Sequence, residues 1–509
     1  MGVRGLGCRV DGWVTRVDNY SEPMTYIVAI DAGTTGVRSR AVFPDGRETV
    51  ASYLEFTQYF PAPGLVEHDA EEIWDVTRRT LLDVIARVGT MPATIGITNQ
   101  RETIVAWDRA TGKTFGRAIV WQDRRTAQRC LELAPHLPTV RATTGLVLDP
   151  YFSATKIEWM LRNGVKPTPT LAFGTVDSWL LWKLTDGAVF ATDESNASRT
   201  MLWNITAHEW SREICDLLGV PFASLPEVRD SSGRFGVTSV DTVPSGIPIS
   251  GIAGDQQAAL FGQACFAEGD AKNTYGTGSF VLMNVGSRCP APSEGMLTTV
   301  AWRIAGQTTY AVEGAIFVTG AAVQWLRDGL GIIRESNDIE TLAARVDTTG
   351  GVVFVPALTG LGSPWWDAEA RGAVFGITRG TTAAHLALAT LEAMAFQTRD
   401  VVEAMTAATG IAIRTLRVDG GAAGNDRLMQ IQADQLGIVV ERPFDRETTA
   451  VGAALLAGLA EGVWESPEDA AASRRIERRF EPNPELAAFA DVAHAQWREG
   501  LRRVTPNCP

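Results

Sequence analysis

Histidine and closely spaced cysteine are both scarce in this sequence of 509 residues. There are five histidines and six cysteines, no two cysteines form a CxxC pair, and no cysteine lies near a histidine at zinc-binding spacing. These absences argue against a zinc site or a histidine-rich metal site. Six scattered thiols in a chain of this length predict reduced cysteines in a cytoplasmic protein.

The sequence also lacks long apolar runs and an excess of positive charge. No run reaches the ~18 apolar residues that a membrane span needs, so stable membrane insertion is not expected. The formal net charge is −13, and an acidic surface repels a phosphate backbone, which argues against nucleic acid as a partner. A local basic pocket for ATP is compatible with this overall charge.

The first 23 residues differ from the rest of the chain. They have neither the continuous apolar region nor the small-residue cleavage site of a signal peptide, and Leu6 stands where an N-myristoylation motif needs Ser or Thr. The first strand pattern begins at Thr25, directly after Met24. We expect residues 1–23 to be a disordered extension or an artefact of the assigned start codon.

The chain after Met24 alternates between strand and helix patterns, which predicts an α/β fold. A unit of strand, Gly/Thr turn and strand occurs at the start and again near residue 270, and this repeat predicts two domains of similar plan. We place the domains at residues 24–267 and 268–470, with a helical tail at 471–509. A cleft between two such domains is a favoured ligand site.

Three glycine-rich turns have the chemistry of nucleotide contacts. DAGTTGVR (residues 31–38) places N–H groups and hydroxyls in one tight turn, and its Asp31 offers a carboxylate for Mg²⁺. YGTGS (275–279) repeats this design, and VDGGAAGN (418–425) allows close approach of a flat group such as adenine or ribose. Each turn alone is also a common structural turn. Together they predict a polyphosphate held from both domains.

Two polar groups complete the candidate site. Asp255 opens a helix in GDQQ, where it is either an N-cap or the base that accepts a hydroxyl proton during phosphoryl transfer. Arg101 and Glu102 are adjacent in NQRET, at the end of a strand. An isolated pair of this kind is usually a solvated ion pair of little energetic value. Beside phosphate turns, however, a carboxylate that accepts and a guanidinium that donates suit a neutral polyol.

The order of these motifs resembles the FGGY family of carbohydrate kinases, in the actin/Hsp70-like ATPase superfamily. The resemblance extends over roughly residues 25–485 and is carried by DAGTT, NQRET, DPYFSATK, GIAGDQQAALFGQ, KNTYGTGSF and LRVDGG. It implies two ribonuclease-H-like domains with the active site in the interdomain cleft. Within the family, the motifs are most similar to members that transfer the γ-phosphate of MgATP to the 3-hydroxyl of glycerol, in glycerol catabolism.

By motif match, the resemblance implies roles for individual residues. The residues that would hold glycerol are Arg101, Glu102, Trp121, Tyr151, Asp255, Gln256 and Phe280, with Asp255 as general base. The residues that would contact ATP are Thr34, Thr35, Gly36, Arg38, Thr277, Gly320, Gln324, Gly421 and Asn425. Asp31 would hold Mg²⁺. We expect a homo-oligomer, a dimer or a tetramer, with glycerol and ATP as its small-molecule partners.

The first turn departs from the family pattern. DQGTTSSR is usual, whereas this chain has Ala32, Gly36 and Val37 at the variable positions. Ala32 lacks a side-chain amide, and the other two lack hydroxyls, so the affinity for ATP can differ. Gly36 still offers its backbone N–H, and we expect the turn itself to persist.

Two other functions remain open. A related kinase of the same family would act on a pentulose, gluconate or erythritol, but Trp121 and Phe280 would narrow the pocket toward a three-carbon polyol. An ATP-dependent clamp or filament protein of the actin/Hsp70 type would explain the phosphate turns. It would leave the polyol residues of NQRET, DPYF and GDQQ without a use.

The sequence predicts weak or absent regulation of this protein by fructose 1,6-bisphosphate. Enteric members of the family bind that sugar phosphate through an arginine in a glycine-rich loop, and Gly246 takes the arginine position here. Residues 231–236 contain no histidine, although some Gram-positive relatives are phosphorylated on one there. Low-millimolar fructose 1,6-bisphosphate should therefore leave the rate of glycerol phosphorylation unchanged in a coupled ADP-release assay. Inhibition in that range would contradict the prediction.

Overall fold

A computed structural model of the chain describes residues 25–367 and 369–505. The extension predicted at residues 1–23 lies outside the described residues, as do Cys8 and Cys508. The other four cysteines are free thiols, and three of them are buried. Among the described helices, none combines the length and the apolar character that crossing a membrane requires.

The first half of the chain, residues 25–262, contains strands interspersed with helices. Its strands are β1 Ile27–Ala32, β2 Gly36–Val42, β3 Val50–Glu55, β4 Glu67–His68, β5 Thr94–Asn99, β6 Ile104–Asp108, β7 Ala118–Ile119, β8 Leu171–Thr175, β9 Ala191–Asp193, β10 Trp203–Asn204, β11 Glu209–Trp210, β12 Glu227–Arg229, β13 Ser232–Val237 and β14 Pro248–Gly254. Its helices are α1 Ala70–Val88, α2 Ala127–Glu132, α3 Leu137–Thr144, α4 Ser153–Arg162, α5 Val176–Leu184, α6 Glu194–Ala197, α7 Arg212–Leu218 and α8 Asp255–Gly262.

The second half, residues 271–505, repeats the opening strand pair and then becomes mainly helical. Its strands are β15 Ala271–Tyr275, β16 Ser279–Asn284, β17 Leu297–Ile304, β18 Gln307–Ile316, β19 Val353–Val355, β20 Ala373–Phe375, β21 Thr415–Asp419, β22 Val439–Pro443 and β23 Ile476–Phe480. Its helices are α9 Gly320–Gln324, α10 Asp338–Ala343, α11 Ala383–Thr409, α12 Asp426–Leu436, α13 Thr448–Ala460, α14 Pro467–Ala471 and α15 Ala487–Val504.

The largest sheet of the described residues runs through both halves, in the order β23-β22-β21-β15-β16-β18-β17-β13-β14-β5-β1-β2-β3. Each half contributes an antiparallel pair joined by a Gly/Thr turn, β1–β2 and β15–β16. A parallel strand lies beside the first member of each pair, β5 next to β1 and β21 next to β15. The halves meet where Ser232 of β13 pairs with Ile304 of β17. The two turns therefore occupy equivalent positions in two similar units.

Buried apolar side chains form one cluster in the first half and another mainly in the second. A further cluster, to which α13 contributes, contains residues of both halves. Although α13 follows β22 in the second half, it packs on α8 and on β1, β5 and β14 of the first half. Small residues allow this approach, because a Cβ on Gly452 would lie 1.8 Å from the carbonyl oxygen of Ala258.

Three predicted elements differ in the structure. The spacing of Asp69 and Glu72 in the sequence predicts a capping box at the start of the first long helix. Asp69 does accept hydrogen bonds at the start of α1, but the Glu72 carboxylate accepts from Thr57 and does not complete the box. The sequence pattern of GAAVQWLRDGL predicts one continuous helix, whereas the structure is α-helical there only in α9 and continues as a π-helical turn at Trp325–Gly329. The tail predicted as helical at 471–509 also contains β23, because pairing with β22 stabilises a strand there in spite of its charged sequence.

The close crossing of α13 and α8 predicts a stability effect at Gly452. Gly452→Ala should lower the free energy of unfolding by about 1–3 kcal/mol, because a methyl group overfills the contact between the two helices. Thermal denaturation followed by circular dichroism measures this effect.

Gly233→Ala is the matched control, since a Cβ at Gly233 meets nothing within 4 Å. The control should change stability by less than ~0.5 kcal/mol. Equal melting temperatures for the two variants would contradict the packing argument.

Candidate active site

Two parallel strands of the first half place the predicted polyol residues side by side. NQRET continues from β5 and Asp255 follows β14, and these strands are hydrogen-bonded neighbours. Arg101 Nε consequently lies 3.0 Å from Asp255 Oδ1. Glu102 has a φ of 61°, a left-handed conformation that is uncommon for a residue with a side chain and that its surroundings must hold.

The guanidinium group of Arg101 is buried and almost fully hydrogen-bonded. Its Nη1 donates to Glu313 Oε2 at 2.5 Å and to Gln257 Oε1 at 3.3 Å. Its Nη2 donates to the Tyr151 hydroxyl at 3.2 Å and to Glu313 Oε1 at 3.3 Å. The Nε–H is buried and has no hydrogen-bond acceptor among the described residues, although Asp255 is close to it.

A second buried arginine completes an ionic network around Glu102. Arg199 Nε donates to Glu102 Oε1 at 2.7 Å, and Arg199 Nη2 donates to Glu313 Oε1 at 2.8 Å. Arg101, Glu102, Arg199 and Glu313 are each at most 2% exposed. Two cations and two carboxylates therefore lie together out of contact with bulk water.

Burial and neighbouring charges act in opposite directions on the two carboxyl groups of this network. Burial raises the pKa of Glu102, and the arginines only partly offset it. Burial also acts to raise the pKa of Glu313, but Arg101 and Arg199 outweigh it and the pKa is lowered. The pKa of Arg101 is held well above its usual value, because these carboxylates and Tyr151 outweigh its burial. Glu313 is thus the ionised counter-ion of both arginines.

Aromatic rings form one wall of the same site. The Trp121 ring centroid lies 5.7 Å from that of Tyr151 and 6.4 Å from that of Phe280. The Arg101 guanidinium carbon is 5.7 Å from the centre of the Phe280 ring. Trp121 Nε1 donates to Thr34 Oγ1 at 3.0 Å. This hydrogen bond connects the aromatic wall to the first Gly/Thr turn.

A buried lysine holds the side chain of Gln256. Its side-chain oxygen accepts a hydrogen bond from Lys272 Nζ, which also donates to Thr274 Oγ1 at 2.8 Å. Burial lowers the pKa of Lys272 to about 8, despite the nearby carboxylates. The lysine thus anchors Gln256 from a strand of the second half.

The first turn concentrates negative charge at the end of β1. Asp31 is half-buried, and burial raises its pKa to about 7. Arg38 opposes this shift, whereas the carboxylates of Asp255 and Glu447 add to it. The Arg38 guanidinium donates to Glu447, next to the start of α13, and lies 5.4 Å from the Tyr53 ring centre.

The second turn and the start of α9 support one another through their backbones. Gly320 N donates to the carbonyl of Gly276 at 3.1 Å, and Thr319 N and Ala321 N donate to that of Thr277 at 3.0 and 2.9 Å. A Cβ on Gly320 would lie 2.4 Å from the Gly276 oxygen. The start of α9 is therefore docked on the second turn, and its N–H groups are already engaged.

The remaining residues predicted to contact the nucleotide belong to the second half and are not connected to the predicted polyol residues in the described part of the chain. Gln324 and Gly421 are exposed, and a Cβ on Gly421 would meet nothing within 4 Å. The Asn425 side-chain oxygen accepts from Leu428 N at 2.8 Å as the cap of α12, so its amide nitrogen is the group that faces other partners. Among the described residues, none of these three forms a hydrogen bond with the polyol residues.

Comparison with known protein families agrees with this two-part organisation. Residues 26–262 match the FGGY family of carbohydrate kinases, N-terminal domain, and residues 271–461 match the C-terminal domain of the same family. The chain belongs to the FGGY family of carbohydrate kinases.

Individual FGGY relatives are similar over nearly their whole length. The glycerol kinase of Aromatoleum aromaticum is 53% identical over 491 residues, which cover 94% of this chain and 99% of that protein. The glycerol kinase of Thermus thermophilus is 53% identical over 468 residues, which cover 90% and 94%. The crystal structure of Plasmodium falciparum glycerol kinase with ADP superimposes with a TM-score of 0.88 at 33% identity, over 94% of this chain and 98% of that one.

More distant FGGY structures share the fold alone. A gluconate kinase from Lactobacillus acidophilus has a TM-score of 0.86 at 19% identity, over 95% of this chain and 99% of that one. The predicted family and the two-domain α/β fold of the actin/Hsp70 type are thereby confirmed. The functions assigned to individual residues by motif match stay predictions.

The FGGY fold brings together the predicted polyol residues, but the side-chain oxygen of one of them, Gln256, already has a protein partner. Arg101, Glu102, Tyr151 and Asp255 meet directly, and the Trp121–Phe280 wall closes one side. The Gln256 oxygen is occupied by Lys272. Among the nucleotide residues, Thr34 is joined to this group through Trp121, whereas Gln324, Gly421 and Asn425 are not.

The structure gives a steric reason for glycine at position 36, which the FGGY sequence pattern did not suggest. A Cβ at this position would lie 2.5 Å from the carbonyl oxygen of Leu54 and 2.7 Å from the Tyr53 hydroxyl. Tyr53 of β3 therefore occupies the space that the usual serine would need. In this chain the departure from the family pattern is a packing requirement as well as a lost hydroxyl.

Sequence reasoning missed Glu313, Arg199 and Lys272. A signal existed for Glu313, because a glutamate within the apolar strand AVEGAIF is almost never buried without a partner. Lys272 gave a weaker signal of the same kind at the start of KNTY. Arg199 lies in the polar stretch NASRT and gave none, because its burial follows only from tertiary packing.

Proposed function

We propose that this FGGY kinase transfers the γ-phosphate of ATP to the 3-hydroxyl of glycerol, giving sn-glycerol 3-phosphate and ADP. The observation that carries the proposal is the buried Arg101–Glu102 pair, with Asp255 at its edge and the aromatic wall beside it. The glycerol kinases that are 53% identical to this chain support the same substrate. The physiological process would be glycerol catabolism in the cytoplasm.

The charge balance of the site favours a neutral substrate. Arg101 and Arg199 are already neutralised by Glu102 and Glu313, so this network offers no surplus positive charge to a substrate carboxylate. Gluconate would place its carboxylate near Glu102 and Asp255, where like charges repel. A polyol hydroxyl both donates and accepts, and therefore suits a neighbouring guanidinium and carboxylate.

Asp255 has the position and the accessibility of a general base. Its side chain is 30% exposed, in contrast to the buried carboxyl groups of Glu102 and Glu313. Oδ1 accepts from the backbone N–H of Gln256 at 2.7 Å and faces Arg101 Nε. We propose that Oδ2 accepts the proton of the glycerol 3-hydroxyl while the hydroxyl oxygen attacks the γ-phosphate. Alignment of the reacting groups contributes more to the rate than the proton transfer does.

The two Gly/Thr turns would hold the phosphates from opposite sides. Thr34, Thr35, Gly36 and Arg38 belong to the first turn and Thr277 to the second. We assign the adenosine to the exposed edge of the second half, where Gln324, Gly421 and the amide nitrogen of Asn425 are available, with Gly320 supporting the second turn. Arg38 would exchange Glu447 for a phosphate oxygen when ATP binds.

Asp31 is the residue that would hold Mg²⁺. Its half-buried carboxyl group lies among the negative charges of Asp255 and Glu447, a setting that suits a divalent cation. When bound, Mg²⁺ neutralises negative charge on the transferring phosphate. Asp31 and Arg38 pair across the β1–β2 ladder, so one turn presents a metal ligand and a cation to the phosphates.

We further propose a division into a polyol and phosphate domain at residues 24–267 and a nucleotide domain at 268–470. The matched FGGY domains at 26–262 and 271–461 support a boundary in this region. A homo-oligomer, a dimer or a tetramer, completes the proposal. Light scattering during size-exclusion chromatography measures that state.

Glycerol should give the highest kcat/KM in a panel with dihydroxyacetone, erythritol, xylulose and gluconate. The aromatic wall limits the length of the substrate, and the balanced charges disfavour gluconate. A coupled ADP-release assay measures each rate. A higher kcat/KM for xylulose or gluconate would indicate another FGGY activity, and ATP turnover indifferent to every polyol would favour an ATP-dependent clamp protein.

Asp255→Asn should lower kcat about 10²- to 10⁴-fold, because the amide cannot accept the hydroxyl proton. Binding of ADP, measured by calorimetry, should persist because Asp255 lies on the polyol side of the cleft. Asp338→Asn is a matched control, since Asp338 also opens a helix but is exposed and outside the site. Turnover by Asp255→Asn close to that of the wild type would rule out the assignment.

A further inference from the structure

The four buried charges beneath the polyol site form a closed ring. Glu313 accepts from Arg101 and from Arg199, Arg199 donates to Glu102, and Glu102 lies 3.9 Å from Arg101 Nε. Glu313 is on β18 of the second half, whereas the other three residues belong to the first half. The geometry of the polyol residues therefore depends on a strand that contributes no predicted polyol contact.

The protein contacts of the ring leave few hydrogen-bonding groups of Arg101 and Glu102 for a ligand. A guanidinium has five N–H donors. Arg101 Nη1 and Nη2 each make two hydrogen bonds to protein groups. The remaining N–H, on Nε, makes no hydrogen bond to a described residue, although Asp255 Oδ1 lies 3.0 Å from Nε. Glu102 Oε1 accepts from Arg199, and no group of the described residues donates to Oε2.

We propose that Glu313 and Arg199 are positioning residues for the polyol. By engaging the far side of Arg101 and one oxygen of Glu102, they present one donor, Arg101 Nε–H, and one acceptor, Glu102 Oε2, to the substrate. A hydroxyl group matches that combination because it donates and accepts at once. This inference rests on the proposed phosphorylation of glycerol.

The charge of Glu313 matters more than its volume. Without it, two guanidinium groups that are at most 2% exposed would share only Glu102 as a nearby buried counter-ion. Arg101 would then turn toward Asp255, whose Oδ1 is already 3.0 Å away, and Arg199 would compete for the second oxygen of Glu102. The first change withdraws the Arg101 Nε–H donor from the polyol, and the second withdraws the Glu102 Oε2 acceptor. Neither changes a contact of the two Gly/Thr turns.

Arg199 has a second positioning contact. Its guanidinium carbon lies 5.7 Å from the centre of the Tyr151 ring and 5.4 Å from that of Phe152. Arg199 therefore supports both Glu102, by a hydrogen bond, and Tyr151, by a cation–π contact. Lysine at this position keeps the charge but cannot donate to Glu102 and Glu313 with the same planar fork.

The test compares the KM values for the two substrates in the full-length enzyme. Glu313→Gln should raise KM for glycerol about 10- to 100-fold, as expected for loss of a charge-assisted hydrogen bond. KM for ATP should change less than ~2-fold, since the nucleotide turns are not in the ring. Glu313→Asp should recover part of the loss, because it restores the charge at a longer distance.

Glu461→Gln is the matched control for an ionic contact between the halves. Glu461 pairs with Arg234 across the halves but lies outside the polyol site. This variant should keep wild-type KM values for both substrates. A purely structural role for Glu313 would instead lower the melting temperature, or reduce both substrate affinities together, without a selective change for glycerol.

Binding measured without turnover separates this inference from the proposed function. Titration calorimetry with glycerol in the absence of ATP measures binding directly, and the Kd for glycerol should rise about 10- to 100-fold in Glu313→Gln, as KM does. If the wild type phosphorylates no polyol, the proposed function fails, and this titration still decides the positioning role.

Three results would overturn the inference. They are a wild-type Kd for glycerol in Glu313→Gln, an equal loss of ATP and glycerol affinity, and the absence of glycerol binding by the wild type. Should Glu313→Gln fail to fold, Arg199→Lys decides, because it preserves the buried charge and should still weaken glycerol binding selectively.

Discussion

The hydrogen-bonded contact between the Arg101 guanidinium and the Glu313 carboxylate is the interaction on which the polyol site depends. It joins the end of β5 to the middle of β18, so both halves of the chain define one binding surface. Buried ion pairs often add little net stability, because desolvation offsets the attraction between the charges. Their value here lies in geometry, since they hold Arg101 and Glu102 in a single orientation.

The same closeness between the halves appears where α13 crosses α8 and the sheet of the first half. Glycine and alanine permit backbones to approach there, as the 1.8 Å separation calculated for a Cβ on Gly452 shows. Large side chains would push α13 away from β5 and β14, whose ends carry Arg101 and Asp255. The small residues of α13 thus fix the positions of the two strands, while the buried charges fix the side chains of Arg101 and Glu102.

Much of the fold and the site could be predicted from local patterns. The two strand–turn–strand units and the long helix α11 follow from periodicity and turn chemistry. The strand β23 could not be predicted, because its pairing with β22 overrides a charged local sequence. The π-helical turn after α9 interrupts a stretch whose local pattern is that of a continuous helix. Likewise, Glu72 has the spacing of a capping box but bonds to Thr57, which is remote in sequence.

The sequence by itself determined the FGGY family, the two-domain α/β plan and the identity of Arg101, Glu102 and Asp255, because each depends on a contiguous motif. Only the tertiary structure decided which atoms of those residues remain available to a ligand. That availability depends on Glu313, Arg199 and Lys272, whose partners are far away along the chain. Hydrogen-bond donors are engaged in three dimensions, and a linear pattern does not record which of them are already taken.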